Sequence, residues 1–149
     1  MSSLETGRYK LPLLAVSQAQ KEITHNEALV RIDALLHAVA QDERADPPLL
    51  SDEDIGKCWL IANAAVGEWA TKSGQLAIWI GGGWRFCEAT EGMRVRMQNS
   101  GTDRVRASGG WIGAPGIADP VGGTMIDSEA RQAISSLLGY LRSTGALTY

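Results

Sequence analysis

The sequence predicts an α+β chain: an N-terminal helix, a small antiparallel β-hairpin domain and a C-terminal helix, made oligomeric through helical seams. Three observations carry this prediction. Apolar residues recur at spacings of three and four near the start, they alternate with polar residues around two glycine-rich turns in the middle, and they return at heptad spacing near the end. A chain of 149 residues suits one domain with its own core.

The polar segment 1–16 reads as an N-terminal arm. The first helix is expected over 17–41, because Leu29, Ile32, Leu35, Leu36 and Val39 fall on one helical stripe. Within it, Thr24 followed by Glu27 fits a capping box, in which the threonine accepts the N3 backbone N–H and the glutamate reaches back to the N-cap; Ser17 with Gln20 fits a second one. Asp42, Glu43, Asp46, Pro47 and Pro48 break the helical pattern, and with the SDED run at 51–54 they read as a solvated linker over 42–56.

The β domain is expected over 57–113. Cys58 to Ala62 is a short apolar run; Leu76, Ile78 and Ile80 alternate along GQLAIWI; and Gly81, Gly82 and Gly83 offer positive φ before Trp84 and Phe86. Met93, Val95 and Met97 alternate with Arg94, Arg96 and Gln98, and Asn99 to Gly101 turns the chain into a second hairpin. Both hairpins lead into a glycine-turn-tryptophan unit, GGGWRF at Trp84 and SGGWIG at Trp111. A Gly/Pro loop follows over 114–126. In the last segment, 127–149, Asp127 caps a helix, Ala130, Ile134, Leu137 and Leu141 form a seam, and Gly145 stands where a left-handed C-cap belongs.

Composition excludes several classes of function. A net charge of -3 with basic residues spread along the chain does not suit a phosphate backbone, so nucleic acid is not an expected partner. No apolar run approaches the roughly 20 residues of a membrane span, and the start lacks a signal peptide, which predicts a protein made and kept in the cytoplasm. Cys58 and Cys87 lack the spacing of a zinc site and read as small apolar residues on strands. The acidic runs lack the alternation and glycine of a calcium loop.

The densest polar run, QAQKEITHNEAL at 18–29, is the one place where acid–base chemistry could be sought. His25 has a single helical neighbour able to pair with it, Glu22, and no nucleophile motif, HExxH or phosphate-binding glycine loop appears. The expectation is therefore no catalytic residue, no metal and no cofactor. Five tryptophans against one phenylalanine are the unusual feature. On a strand Trp79 points opposite to Ile78 and Ile80, which makes it, with Trp111, the candidate contact for a glycan or a partner.

The stretch LPLLAVSQAQKEITHNEALVRIDALL resembles the opening segment of a domain of unassigned function found in tail fibre, spike and related virion proteins of bacteriophages and gene transfer agents. The resemblance rests on Leu11, Pro12, the QAQK run, Thr24 to Leu29 and Asp33; it continues at Gly67, Trp69, Gly74, Ala77 and Gly83-Trp84, and the ending TMIDSEARQAISSLLGYLRSTG is similar to a helix that closes many such proteins. The segment MRVRMQNSGTDRVRAS is more basic than the resemblance implies. What it implies is a structural virion protein assembled in the bacterial cytoplasm: a homo-oligomeric, trimeric base or adaptor fixing a spike or fibre to the head or tail of a phage-like particle. Its partners would be itself, a capsid or tail protein and a fibre or spike protein. The alternative is a carbohydrate-binding module for host surface polysaccharide.

The chain ends soon after its last helix, with no repetitive shaft and no large distal domain, which fits an attachment module. The expected oligomer interface is Leu29, Ile32, Leu36 and Val39, or the seam Ile134, Leu137 and Leu141.

Overall fold

The computed structural model describes residues 4–14, 21–123 and 127–148. The QAQ run and the Ser17–Gln20 capping box lie outside the described residues. The elements are α1 (Lys21–Leu35), β1 (Val39–Arg44), β2 (Cys58–Ile61), β3 (Leu76–Trp79), β4 (Trp84–Cys87), β5 (Arg94–Met97), β6 (Thr102–Ala107), β7 (Gly110–Gly113) and α2 (Ser128–Ser143), with 3-10 turns at Asp52–Asp54 and Gly67–Trp69.

The expected small hairpin domain is replaced by one seven-stranded mixed sheet, in the order β4-β3-β2-β1-β5-β6-β7, with a helix towards each end of the chain. β1 lies at its centre and pairs in parallel with both β2 and β5, while β2-β3-β4 and β5-β6-β7 run as antiparallel meanders on either side. The sheet therefore begins at Val39, inside the segment expected to be helix and linker. Two physical reasons explain the difference. His37 takes a left-handed backbone with φ 50°, which ends the helical path soon after Leu35. The strand itself, VAQDER, is mostly polar, so its strand character comes from hydrogen bonding on both edges to partners distant in sequence rather than from local hydrophobic alternation.

Both hairpins form, with Ile78 opposite Arg85 in the first and Val95 opposite Arg104 in the second. Of the three glycines after Ile80 only Gly81 has positive φ, +84°, and a methyl group there would sit 2.7 Å from Ile55 Cδ1.

Alternation along the strands splits the core between the two faces of the sheet. One face gathers Ala40, Cys58, Leu60, Leu76, Ile78, Cys87, Val95 and Met97 under Ala34 of α1 and Ala38. β2 is buried along its whole length, as a strand with both faces covered must be. The sheet curls enough for Trp111 on β7, at one edge, to pack on this first core and donate its Nε1–H to the Gly74 carbonyl before β3, 2.9 Å away. The opposite face carries Trp59, Ile61 and Ala77, covered by Trp69 from the second 3-10 turn and flanked by Trp79, Trp84 and Phe86.

Candidate functional site

The polar run that raised the question of catalysis is helical from Lys21 onward. Thr24 stands within α1 rather than ahead of it, so the capping box expected of Thr24 and Glu27 does not form: a residue already in helical conformation cannot be the N-cap. Glu27 turns outward instead, with its Oε1 3.2 Å from Arg31 and 3.8 Å from Arg85 on β4. Asn26 serves the fold in another way. Its side-chain amide accepts from the Leu14 N–H at 2.9 Å and donates to the Leu14 carbonyl at 3.0 Å, standing in for a neighbouring strand.

A second residue of the same segment holds the N-terminal arm. Asp33 is buried on α1, and its carboxylate accepts from Thr6 Oγ1 at 2.7 Å, Arg8 N–H at 2.8 Å and Tyr9 N–H at 2.6 Å. The Arg8 guanidinium continues past it to the end of the helix, donating to the carbonyls of Asp33, Ala34 and His37 at 2.9 to 3.0 Å. These carbonyls have no partner inside the helix, and a cation there also meets the negative end of the helix dipole. The arm is folded on itself by a bridge between Glu5 and Pro12, and its Gly7 crosses Gly56 so closely that a methyl group on Gly7 would lie 2.6 Å from the Gly56 Cα. Sequence reasoning missed this latch. The available signal was an aspartate lying among the apolar residues Val30, Ile32, Ala34 and Leu35, since a buried carboxylate requires hydrogen-bond donors.

Between the arm and the end of β3 lies a cleft of about 760 Å³ whose lining includes Leu13, Ile55, Trp79 and Ile80 together with Asp52 and Glu53. Beside it Asp54 accepts from Lys57 Nζ at 2.8 Å and from the Ser51 N–H at 2.8 Å; the lysine first, then the backbone donor, hold its carboxyl down at about 2. Cys58 and Cys87 are free and buried in the first core, and burial pushes the Cys58 thiol up to about 12 and raises that of Cys87. Neither is available as a thiolate near neutral pH. Among the described residues no group of three His, Cys, Asp or Glu gathers as a metal site, and no helix is long and apolar enough to cross a membrane.

Trp79 does point away from Ile78, but the face it points to is filled with aromatic rings. Trp84 is the hub, with ring centroids 5.2 Å from Trp79, 5.0 Å from Trp69 and 5.6 Å from Trp59. Trp79 is half-buried and its indole N–H is enclosed, so it is not an open platform. Trp111 is half-buried and its N–H is committed to Gly74.

The residues expected at a self-interface are divided among elements. Leu29 is half-buried on α1 and Ile32 on the same helix is 50% exposed; Leu36, 47% exposed, follows the helix end, and Val39 is half-buried at the start of β1. The single stripe therefore breaks at Leu35. On α2, Ile134 is 46% and Leu137 58% exposed, Tyr140 beside them is 65% exposed, Leu141 is half-buried and Leu138 is buried. Asp127 is the N-cap of α2, its Oδ1 accepting from the Ala130 N–H at 2.9 Å, and Gly145 follows the helix with φ +78°.

Residues 25–112 match the family described as "Protein of unknown function (DUF2793)". The chain belongs to this family. The DUF2793 match runs from within α1 to within β7, so it takes in the whole sheet apart from the last residue of β7, while the arm and α2 lie outside the matched span. No curated protein matches the chain. Within the DUF2793 span fall the four tryptophans of the aromatic cluster, Asn26 and Asp33; the arm that these two polar residues hold lies before it.

Proposed function

We propose that this protein is a structural component of a phage-like particle, a homo-oligomeric base or adaptor that attaches a spike or fibre to the head or tail. Two things support the reading: the resemblance of the Leu11–Asp33 segment to domains of tail fibre and spike proteins, and the apolar surface left open on both helices. The second carries the physical argument. Ile32 and Leu36 at α1, and Ile134, Leu137 and Tyr140 on α2, are about half exposed or more, and a monomer rarely leaves contiguous apolar surface in water. The proposed partners are further copies of the chain, arranged as a trimer, a capsid or tail protein and a fibre or spike protein. The proposed location is the virion, after assembly in the bacterial cytoplasm.

A role in binding host polysaccharide has weaker support, because the rings of Trp79 and Trp111 pack into the two faces of the sheet, with the indole N–H of Trp79 enclosed and that of Trp111 committed to the Gly74 carbonyl, so neither N–H is free to meet a sugar hydroxyl. Two measurements test the proposal. Light scattering on the purified protein should give a multiple of 16.0 kDa, and particles purified from producing cells should contain the chain and lose their spikes or fibres when it is deleted. Absence of the chain from particles would remove the virion reading, and a monomer at high concentration would remove the oligomeric one.

A further inference from the structure

Half-buried arginines in this fold are engaged by hydrogen bonds. Arg8, Arg44, Arg96, Arg131 and Arg142 each donate to a carbonyl or carboxylate oxygen. Arg104 and Arg106, half-buried on β6, are different. Among the described residues the anionic partner of Arg104 is Glu43, whose Oε2 lies 3.5 Å from Nε, longer than a good hydrogen bond, and no acceptor meets the Arg106 guanidinium. The two arginines stand two residues apart on one strand, so both side chains leave from the same face, the one that carries their partners in register, Val95 and Trp111. Two positive charges whose backbone positions are about 7 Å apart repel each other unless a negative group answers them.

Each guanidinium is seated against glycine. That of Arg104 fills the space where a Cβ on Gly113 would stand, and Nη1 of Arg106 lies 3.5 Å from the place of a Cβ on Gly74 and 4.0 Å from that on Gly110. Gly74 is also the residue whose carbonyl takes the Trp111 indole N–H, so Arg106 and Trp111 reach the same point from neighbouring strands. Two guanidinium groups, one aromatic ring and the carboxylate of Glu43 therefore share one face of the sheet.

We infer that Arg104 and Arg106 form a binding site for a carboxylate. A guanidinium presents parallel N–H donors at the spacing of two carboxylate oxygens, and both forks here have donors to spare. The charge selects within the anions. Two arginines and Glu43 sum to one positive charge, which a single carboxylate neutralises, whereas a phosphate or sulfate dianion would leave excess negative charge beside Glu43. Trp111, across from Arg106, gives the carbon skeleton of the ligand an apolar neighbour. Two sources supply this chemistry, a small free acid and an aspartate or glutamate side chain of another protein chain. The inference does not depend on the virion reading above, and it gives a use to part of the basic excess in the segment 93–108.

The test uses the full chain in chloride at fixed ionic strength. Acetate is the probe for a free acid, and glutamate blocked as its N-acetyl α-amide, with only the side-chain carboxylate left, is the probe for a protein residue. In nuclear magnetic resonance titrations the Nε–H signals of Arg104 and Arg106 should shift saturably, while that of the exposed Arg94, which alternates to the other face of the sheet, should not. Arg106→Gln, with an unchanged amide spectrum, should weaken binding about tenfold or more, the loss expected for one charge-assisted hydrogen bond; Arg94→Gln should leave it unchanged. Glu43→Gln should raise the affinity for sulfate more than that for acetate. Tighter binding of the blocked glutamate than of acetate assigns the carboxylate to a protein partner, and equal or weaker binding assigns it to a free acid. Shifts that do not saturate with either probe, equal shifts at Arg94, or binding that survives Arg106→Gln would overturn the site.

Discussion

The carboxylate of Asp33 and the backbone N–H of Arg8 meet 2.8 Å apart, and the Arg8 side chain reaches back to the carbonyl of Asp33 itself at 3.0 Å. Each residue thus satisfies part of the other, and together they fix the arm to α1. Asp33→Ala would leave the Thr6 hydroxyl and the N–H groups of Arg8 and Tyr9 without their acceptor. The expected loss is about 2–3 kcal/mol in urea unfolding, the size set by stranding buried donors of a charged hydrogen bond, with trypsin cleavage at Arg8 and Lys10 rising in step. Unchanged cleavage would show that something other than Asp33 holds the arm.

The crossing of Gly7 and Gly56 predicts a second way to lift the arm. Gly7→Ala places a methyl group 2.6 Å from the Gly56 Cα and 2.7 Å from the Ile55 carbonyl oxygen, where backbone rather than a yielding side chain must move. A cost of about 1–3 kcal/mol is expected for overpacking of this kind. Amide exchange should accelerate at Thr6 and Leu13, whose N–H groups hold the arm's own fold, and stay slow in the strands.

Asp54 gives the protein a defined acid response. Its carboxyl has an ordinary value of 3.8 and sits at about 2 when the chain is folded, so the folded form keeps the charge to lower pH than the unfolded form. The stabilisation is complete above about pH 4, is lost as pH falls towards about 2, and changes no further below that. Carboxyl chemical shifts of Asp54 followed through this window should give the lowered midpoint, and Lys57→Met should return it towards 3.8.

Trp79 separates the adaptor from the sugar-binding module. Packed against Trp84 and enclosed at its indole nitrogen, it should cost about 2–4 kcal/mol of folding stability when replaced by alanine. Titration of the wild type with host surface polysaccharide should leave tryptophan fluorescence unchanged. Saturable quenching, with a Trp79→Ala protein that folds and assembles normally, would reverse this choice.

The hairpins β3–β4 and β5–β6 were legible because alternation and turn glycines are local signals, carried by Leu76, Ile78, Gly81, Val95 and Met97. β1 was not, since Gln41, Asp42, Glu43 and Arg44 look like linker and become strand only through partners on both edges that are far away in the chain. The alanines compounded the error: Ala38 and Ala40 continue a helical pattern as readily as they fill the narrow space beneath α1. At the candidate site, the exposed positions Ile134 and Leu137 could be named from heptad spacing, whereas the role of Asp33 could not, because its partners are mostly backbone groups of an arm with no pattern of its own. Tyr140, 65% exposed, stands one place before the heptad position at Leu141, which turns partly inward, so heptad spacing alone does not mark it as exposed.

The parallel pairing of β1 with β5 also sets an order of events. β1 ends at Arg44 and β5 begins only at Arg94, so in a chain emerging from the ribosome the β5-facing edge of β1 stays open while β2 to β4 are made, able to recruit strands from other chains. The charges on Asp42, Glu43 and Arg44, which add little hydrophobic content to a finished central strand, are the kind that discourage such recruitment. In β1, polarity that obscured the strand in the sequence serves to keep the nascent half-sheet from aggregating until its second meander arrives.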